Sequence, residues 1–331
     1  MDHLSTENAP QTAQLRTIVL ENDRLCVTVL PEAGAKVWQI SYKPLLVDLL
    51  WNNPTVQPSA QSLHASYDDN WSGGWDELFP NDEPCRLMGL DLPDHGELWT
   101  GAWIAEMDGT RSLKLKFETP LTRFVAEKEL VLREQSAVLE VRYKLINRGT
   151  DPFPFLWKLH PAFAVSAAHR IDFPPMTVVR ELDFPGTLAD SPPHFSWPYA
   201  SAGNQVLDLR QVPPPSSRSV HFFYGTAYAQ GWCGVTDRTK RLAVGMRFDP
   251  EVFSSCWLFA THGGWRDLNV AVLEPATGYP FQLQKVIDAG RARTLAPGES
   301  LETTVLFSVQ EGLRSVGGVD EHGTILPGDE D

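Results

Sequence analysis

The sequence is poor in the features that mark several large classes of protein. Four cysteines are spread over 331 residues without a CxxC pair, which excludes a dense disulfide scaffold and the usual zinc signature. No stretch approaches 18 uninterrupted apolar residues, so no membrane span is expected. The first fifteen residues lack a basic segment followed by an apolar one, so no signal peptide is expected. We therefore expect reduced thiols and a cytoplasmic location.

Positive charge is also scarce. Lys and Arg number 28 against 42 Asp and Glu, which gives a formal net charge of −14. A nucleic-acid partner requires a basic surface and an anionic membrane attracts basic segments, so neither partner is expected. No HExxH or HxH spacing is present, and we expect neither a metal nor another cofactor. A small molecule is the expected partner, with the chain a monomer or a homodimer.

Helix-like periodicity is rare, and short strand-like runs separated by Pro, Gly and Asn are frequent. The run Leu139–Gly149, LEVRYKLINRG, alternates apolar and polar residues as a half-buried strand does. Strands are predicted at Cys26–Leu30, Lys36–Ile40, Leu113–Phe117, Thr122–Leu132, Ala137–Asn147, Phe155–Val165, Val220–Tyr224, Gly231–Thr236, Arg241–Phe248, Asn269–Leu273 and Leu301–Val309. Many short strands with such breaks indicate an all-β sandwich or barrel.

The chain shows no clear internal boundary or repeat. We predict a single β-sandwich domain over residues 13–315, a flexible tail at 1–12 and an acidic tail at 316–331. The stretch Pro54–Trp103 departs from the strand pattern, because it is rich in Trp, Asp, Gly and Pro and has little periodicity. A loop of this length inside a compact domain is usually functional.

Three short segments combine a titratable side chain with turn residues and aromatics. They are DHGELW, with His95, Glu97 and Trp99; LHPAF, with His160; and LEPATGYP, with Glu274 directly after the apolar run NVAVL. A carboxylate where a strand ends is well placed for a cleft. Each has a structural alternative, since His95 fits a turn, His160 fits an apolar core, and Glu274 fits an ion pair with an arginine.

A fourth segment, GGWDELFPND, adds Trp75, Asp76 and Glu77. The structural alternative for the two carboxylates is that they cap a short helical turn. Eleven tryptophans in the chain offer flat apolar faces with a polar edge. Such a face can pack against the C–H side of a sugar ring, while polar groups bind the hydroxyls around its rim.

The order and spacing of these segments resemble the aldose 1-epimerase (galactose mutarotase-like) superfamily over nearly the whole chain. VLENDRLCVTVLPEAGAKVWQI resembles the first strands of that family, and LFPN followed by HGELW resembles its FP…HG region. LHPAFAV resembles its histidine strand, and LEPATGYP resembles the segment with its catalytic glutamate. The match is closer to a mutarotase-related branch of the superfamily than to galactose mutarotase itself. It implies a large antiparallel β-supersandwich with few short helices.

The resemblance implies an aldose 1-epimerase that interconverts the α and β anomers of an unphosphorylated monosaccharide without a cofactor. It implies Glu274 as the general base, His160 as the general acid and His95 as a sugar-binding residue. The chemistry agrees, because ring opening removes a proton from the C1 hydroxyl and delivers one to the ring oxygen. Further side chains are expected around the sugar: Asp76, Trp75, Glu97 and Trp99, with some of Trp71, Trp157 and Trp265.

The acid role requires a protonated His160. A histidine has a reference pKa of about 6.5 and is mostly neutral at neutral pH, but a nearby carboxylate raises that pKa. We therefore expect Asp76 or Glu274 to keep His160 partly protonated. The family's sugar-binding arginine has no counterpart here, and Asp237 and Asp249 are the candidates for its sugar-binding aspartate.

Three alternatives remain open from the sequence. The first is a hexose-6-phosphate epimerase, for which Arg86, Arg247 and Arg266 are the candidate phosphate ligands. The second is a carbohydrate-binding or regulatory protein of the same fold that does not turn sugar over. The third is a metal-dependent sugar isomerase or lyase whose metal ligands are His95, Glu97 and His160.

Overall fold

The computed structural model describes residues 15–184 and 186–329. The flexible tail expected at residues 1–12 lies outside the described residues. The described residues form many β-strands, numbered here in chain order, and two short α-helices, α1 (Tyr67–Asn70) and α2 (Leu283–Asp288). Short 3-10 helices occupy Lys43–Leu45, Gly186–Leu188 and Pro215–Ser217. The described part of the chain contains no helix with the length and apolar character needed to cross a bilayer.

The larger sheet has eleven strands in antiparallel pairs and carries the candidate site. Its strands follow the order β1 (Ile18–Glu21), β2 (Leu25–Leu30), β3 (Lys36–Tyr42), β5 (Trp75–Leu78), β13 (Lys158–Phe163), β23 (Asn269–Ala276), β22 (Ser255–His262), β19 (Ser219–Thr226), β15 (Thr177–Arg180) and β16 (His194–Ser196), with β4 (Val47–Asp48) paired to β3. Strands β2, β3, β13, β19 and β23 of this sheet correspond to runs that the sequence predicts as strands.

The second sheet has eight antiparallel strands. They follow the order β14 (His169–Asp172), β20 (Trp232–Asp237), β21 (Leu242–Arg247), β25 (Ser300–Glu311), β11 (Val138–Asn147), β10 (Phe124–Leu132), β9 (Ser112–Glu118) and β8 (Ile104–Asp108). Strand β11 buries alternate side chains, as its sequence pattern predicts.

Small two-stranded ribbons complete the described structure. They pair β6 (Cys85–Leu87) with β7 (Leu90–Leu92), β12 (Phe153–Phe155) with β24 (Arg293–Leu295), β17 (Tyr199–Ala202) with β18 (Gln205–Asp208), and β26 (Val316–Val319) with β27 (Ile325–Pro327). The last ribbon corrects the acidic tail expected at residues 316–331. Val316, Val319 and Ile325 are buried against Trp232 of the second sheet, so apolar burial orders this segment.

The two large sheets pack face to face over the main apolar core. Phe307 of β25 lies against Phe163 of β13, with parallel rings whose centroids are 6.2 Å apart, and also against Trp75 of β5. These contacts connect one sheet to the other. They confirm the all-β antiparallel sandwich expected from the sequence.

The opposite face of the eleven-stranded sheet is covered by the irregular segment expected at Pro54–Trp103. A smaller apolar cluster forms there, in which Tyr67, Trp71 and Trp99 from the segment pack on Ala162 and Val272 from the sheet. The segment is less irregular than expected, because it contains α1, β5, β6 and β7. Since both faces of the sheet are covered, its central strands are buried on both sides.

Strand β22 was not predicted, although it lies at the centre of the larger sheet. Its sequence SCWLFATH is a nearly continuous apolar run without alternation, and seven of its eight residues are buried. A short run of this kind has no distinctive period, because a strand covered on both faces does not require polar residues at every second position.

Candidate functional site

Strand pairing places Lys158, His160 and Glu274 on one face of the larger sheet. Ala162 of β13 pairs with Val272 of β23. His160 and Glu274 face each other two residues further along this antiparallel ladder. Alternate residues of a strand share a face, so Lys158 and His160 both point away from the main core. Leu159 and Phe163 point into that core.

Glu274 is buried at the floor of a pocket on this face, with an exposed fraction of 1%. Its Oε2 atom lies 2.8 Å from Nζ of Lys158 and 4.0 Å from Nε2 of His160. The same atom has no aligned hydrogen-bond partner among the described residues. Burial raises the pKa of Glu274, and the positive charge of Lys158 only partly opposes this effect. The carboxylate form of Glu274 is therefore more basic than that of an exposed glutamate, and Oε2 keeps an acceptor position open.

Lys158 was not predicted as a site residue, although it is the central cation of the pocket. Its Nζ donates a hydrogen bond of 2.8 Å to Asp82 and lies 4.5 Å from the centre of the Trp257 ring. Burial alone would lower the pKa of Lys158, but the charges of Asp82 and Glu274 outweigh burial and raise it. The side chain is therefore a protonated ammonium at neutral pH.

His95 is also a cation in this structure. Its Nδ1 lies 2.8 Å from Oδ1 of Asp94, and its Nε2 lies 2.9 Å from Oδ1 of Asp82. Burial opposes the charge, but the two carboxylates prevail and raise the pKa of His95 to about 9. The ring also stacks on Tyr67, with ring centres 4.1 Å apart. These contacts fix both the charge and the direction of the imidazolium.

The turn that presents His95 depends on the next residue, Gly96. The backbone of His95 has φ of 58°, and that of Gly96 has φ of 76°. A Cβ atom at Gly96 would lie 2.0 Å from the carbonyl oxygen of Phe79, so only glycine fits there. The dipeptide HG in the sequence is thus a structural requirement for aiming the His95 ring at Asp82.

His160 differs from the expectation, because it is neutral. Burial, followed by the charges of Lys158 and His95, lowers the pKa of His160 well below its ordinary value. The expectation that Asp76 or Glu274 keeps it partly protonated is therefore wrong. The nearest carboxylate oxygen of Glu274 is 4.0 Å away, and two cations lie in the same cluster.

A hydrogen-bonded chain below the pocket fixes the tautomer of His160. The Tyr67 hydroxyl donates to Oδ2 of Asp76 at 2.9 Å and lies 3.1 Å from Nδ1 of His160. Lys36 is ion-paired to the same Asp76 oxygen. Because the one hydroxyl proton goes to Asp76, the Tyr67 oxygen accepts the Nδ1–H of His160. The Nε2 atom, nearer Glu274, therefore carries a lone pair.

The pocket above these groups has a volume of about 810 Å³, including its open mouth. Aromatic side chains form much of its lining: Trp71, Trp265, Phe184, Phe222, Phe259 and Phe281. The arrangement combines apolar walls with a floor of paired acids and bases.

The expected residues fall into three groups. His95, His160 and Glu274 line the pocket, and so do Trp71 and Trp265. Asp76 and Trp99 lie in a layer behind it. Asp76 holds Tyr67, as described above, and the Trp99 indole donates to the carbonyl oxygen of Asp94.

The remaining expected residues lie outside the pocket. Trp75 and Trp157 belong to the main core. The Glu97 carboxylate faces another loop, where it accepts hydrogen bonds from the backbone of Leu121 and Thr122. Glu97 is therefore not a sugar-binding residue here, and the metal-ligand set of His95, Glu97 and His160 is not assembled.

The two candidates for a sugar-binding aspartate are also elsewhere. Asp237 pairs with Lys240 at the end of β20, and Asp249 accepts a hydrogen bond from the backbone of Glu251 in a turn. Both side chains are engaged locally and neither lines the pocket. The resemblance of the sequence offers no other candidate for the sugar-binding aspartate.

The sequence did contain a signal for Lys158. In LWKLHPAF the lysine stands two positions before His160 within an otherwise apolar run. Alternation in a strand places both on the same face, and a lysine is rarely buried unless it is paired. For Asp82 in LFPND no comparable local signal exists, because its partner Lys158 is 76 residues away.

Comparison with known proteins supports the fold. No family model matches the chain. The Slr1438 protein from Synechocystis sp. PCC 6803 is 17% identical and superposes with a TM-score of 0.67, covering 93% of this chain and 100% of that one. A galactose mutarotase related enzyme from Lactobacillus acidophilus is 12% identical, with a TM-score of 0.64, covering 89% and 98% of the two chains.

The same fold also occurs in a larger protein. A TPR-domain containing protein from Parabacteroides distasonis is 14% identical, with a TM-score of 0.65, and the match covers 98% of this chain and 51% of that one. At such identities the comparison concerns architecture rather than activity. The chain has the galactose mutarotase-like fold that the resemblance of its sequence implies.

Proposed function

We propose that this chain is an aldose 1-epimerase-type isomerase that interconverts the α and β anomers of an unphosphorylated aldose. The observation that carries the proposal is the state of Glu274. It is a buried carboxyl group with a raised pKa that lines the pocket, with an open acceptor position at Oε2 and an ammonium group 2.8 Å away.

The reaction requires little more than such a pair. A base removes the proton of the C1 hydroxyl while an acid protonates the ring oxygen, and the open-chain sugar rotates about C1–C2 before closing again. Positioned acid and base groups typically contribute about 10²–10⁴-fold each. Glu274 is the base in this proposal, and the neutral His160 accepts a hydrogen bond from a sugar hydroxyl at Nε2.

The charge of the pocket favours an unphosphorylated substrate. Five carboxylates line it against the two cations Lys158 and His95: Asp68, Asp82, Glu83, Asp94 and Glu274. Phosphate groups in proteins are usually held by arginine forks or clustered cations. An added phosphate would meet net negative charge here.

The arginines considered for phosphate binding are engaged elsewhere. Arg86 is exposed beside Asp91, and Arg247 donates to the carbonyl oxygen of Val319. Arg266 pairs with Asp69 outside the pocket lining. These placements support the unphosphorylated substrate over the hexose-6-phosphate alternative.

Exchange NMR on an equilibrated panel of neutral aldoses, starting with glucose and galactose, tests the proposal directly. Wild-type protein should speed α–β exchange above the uncatalysed rate, and Glu274→Gln should lower kcat by about 10²–10⁴-fold. Glu77→Gln is the matched control, since it alters a buried glutamate on the opposite face of the sheet and should leave kcat unchanged. Saturable sugar binding without faster exchange would instead identify a carbohydrate-binding protein.

A further inference from the structure

Anomer exchange requires a proton donor as well as the base Glu274. Among the described residues that line the pocket, the side chains with a titratable nitrogen are His95, His160 and Lys158. Each can be tested against two requirements. The donor must carry a proton that points into the pocket, and it must lie close to Glu274, because the C1 hydroxyl and the ring oxygen are bonded to one carbon atom.

His160 fails the first requirement. Its Nδ1–H is committed to the Tyr67 oxygen, because the Tyr67 hydroxyl itself donates to Asp76. The Nε2 atom nearest Glu274 therefore carries a lone pair and can accept a proton but not donate one. Its pKa, lowered by burial and by Lys158, agrees with this geometry.

His95 carries a proton on each ring nitrogen, but both nitrogens face carboxylates. Nδ1 is hydrogen-bonded to Asp94, and Nε2 lies 2.9 Å from Asp82. The ring is also held from one side by the stacked Tyr67. Each of the two N–H groups of the imidazolium is directed at a carboxylate, so neither is left for a sugar, and the contacts of His95 suit a residue that fixes Asp82.

Lys158 meets both requirements. Its Nζ is 2.8 Å from Glu274 Oε2, compared with 4.0 Å for His160 Nε2. Lys158 lines the pocket and its ammonium carries three N–H groups: one is used in the hydrogen bond to Asp82 and a second can face Glu274, which leaves the third for a sugar. We propose that Lys158 is a catalytic residue of this site and delivers the proton to the ring oxygen of the sugar.

Bonds and protons balance when the sugar ring opens. Glu274 takes the proton of the C1 hydroxyl, the bond between C1 and the ring oxygen breaks, and a proton passes from Nζ of Lys158 to that oxygen. The products are the open-chain aldehyde, a carboxylic acid and a neutral amine. After rotation about C1–C2, the hydroxyl attacks the aldehyde and returns its proton to Lys158, while Glu274 returns its proton to the carbonyl oxygen.

This inference rests on the proposed function, and two variants of Lys158 separate proton donation from mere positioning. Lys158→Arg keeps a positive charge near Glu274 and Asp82, but a guanidinium does not release its proton in proteins. Lys158→Ala removes the donor and leaves space. We expect both to lower kcat by about 10²–10⁴-fold, while a positioning role predicts that Lys158→Arg keeps most of the activity.

Rescue by small amines gives the decisive readout. Ethylamine and 2-fluoroethylamine are similar in shape, but the fluorinated ammonium is the stronger acid. If Lys158 donates a proton, saturating ammonium should restore exchange in Lys158→Ala, and the more acidic ammonium should restore it more. Equal rescue by the two amines would overturn the inference, because a positioning role depends only on charge and shape.

The matched control is Lys128→Met, which removes a buried lysine paired to a glutamate in the main core. It should lose stability but keep kcat and show no amine response. If the wild-type protein is active and Lys158→Arg exchanges anomers at a rate within threefold of the wild-type rate, the inference about Lys158 is wrong while the proposed function stands. A wild-type protein that accelerates no sugar of the panel would overturn the proposed function itself, so the two failures are distinguishable.

Discussion

Two buried lysine–glutamate pairs lie on opposite faces of the same sheet, and they differ in how completely they are satisfied. In the main core, Lys128 and Tyr143 both bind Glu77, with Nζ 2.7 Å and the hydroxyl 2.7 Å from Oε1. Lys128 also donates to the carbonyl oxygen of Ala35. Every polar atom of this pair has a partner, so nothing is left over for a ligand.

In the pocket, the pair of Lys158 and Glu274 is incomplete. Glu274 Oε2 lacks an aligned hydrogen bond, and so does Oδ1 of Asp82. Lys158 and His95 lie within ion-pair distance of these two atoms, but a buried polar atom without an aligned hydrogen bond lacks part of its stabilisation. A bound molecule or a water molecule can supply the missing contact. The comparison supports the proposal that the pocket pair serves binding and chemistry, while the contacts of the core pair are those of a structural pair.

The largest expected effect on stability comes from breaking the closed pair. Lys128→Met leaves Glu77 buried without its cation, and we expect a loss of about 3–5 kcal/mol in the free energy of unfolding. Lys158→Met should cost less, because water in the pocket can solvate Glu274 and Asp82. Urea denaturation of the two variants at pH 7 measures the difference. Equal losses would contradict the distinction between a closed and an open pair.

The next effect concerns pH and the charge of His95. A group whose pKa is raised on folding contributes stability that is complete below its unfolded pKa, near 6.5, and is lost as pH rises through about 9. The loss should reach up to about 3 kcal/mol. Urea denaturation between pH 6.5 and 9.5 measures it. His95→Gln should flatten the dependence in this window, and an unchanged slope would show that His95 is not held as a cation.

Much of the fold could be predicted from the sequence because alternation and turn residues are local signals. Strand β11 alternates clearly and is predicted from its sequence, whereas β22 contains the unbroken apolar run CWLFA, which has no alternation by which to predict it. The ribbon of β26 and β27 was missed for another reason, since acidic residues at the chain end concealed three apolar side chains that pack on the second sheet.

The site was predicted in part. His95, His160 and Glu274 all line one pocket. They could be predicted because each stands in a distinctive local segment of the sequence. The charge state of His160 could not be predicted from the sequence, because it depends on Lys158 and Tyr67. Lys158 lies on the same face of β13, and Tyr67 belongs to α1, which is distant in the chain. Glu97 was misplaced for the same reason, as its partners Leu121 and Thr122 lie on a separate loop.

The smallest expected effect separates the two faces through their tyrosines. Tyr67→Phe and Tyr143→Phe each remove a hydroxyl that donates to a buried carboxylate, Asp76 in one case and Glu77 in the other. Each should cost about 1 kcal/mol of stability. Only Tyr67→Phe frees Nδ1 of His160, so only that variant should shift the ¹⁵N resonances of the ring towards the tautomer protonated at Nε2. The rate of anomer exchange should then change by a few-fold in Tyr67→Phe and stay constant in Tyr143→Phe. An equal spectral response in both variants would mean that the tautomer of His160 is set by its general burial rather than by the hydroxyl of Tyr67.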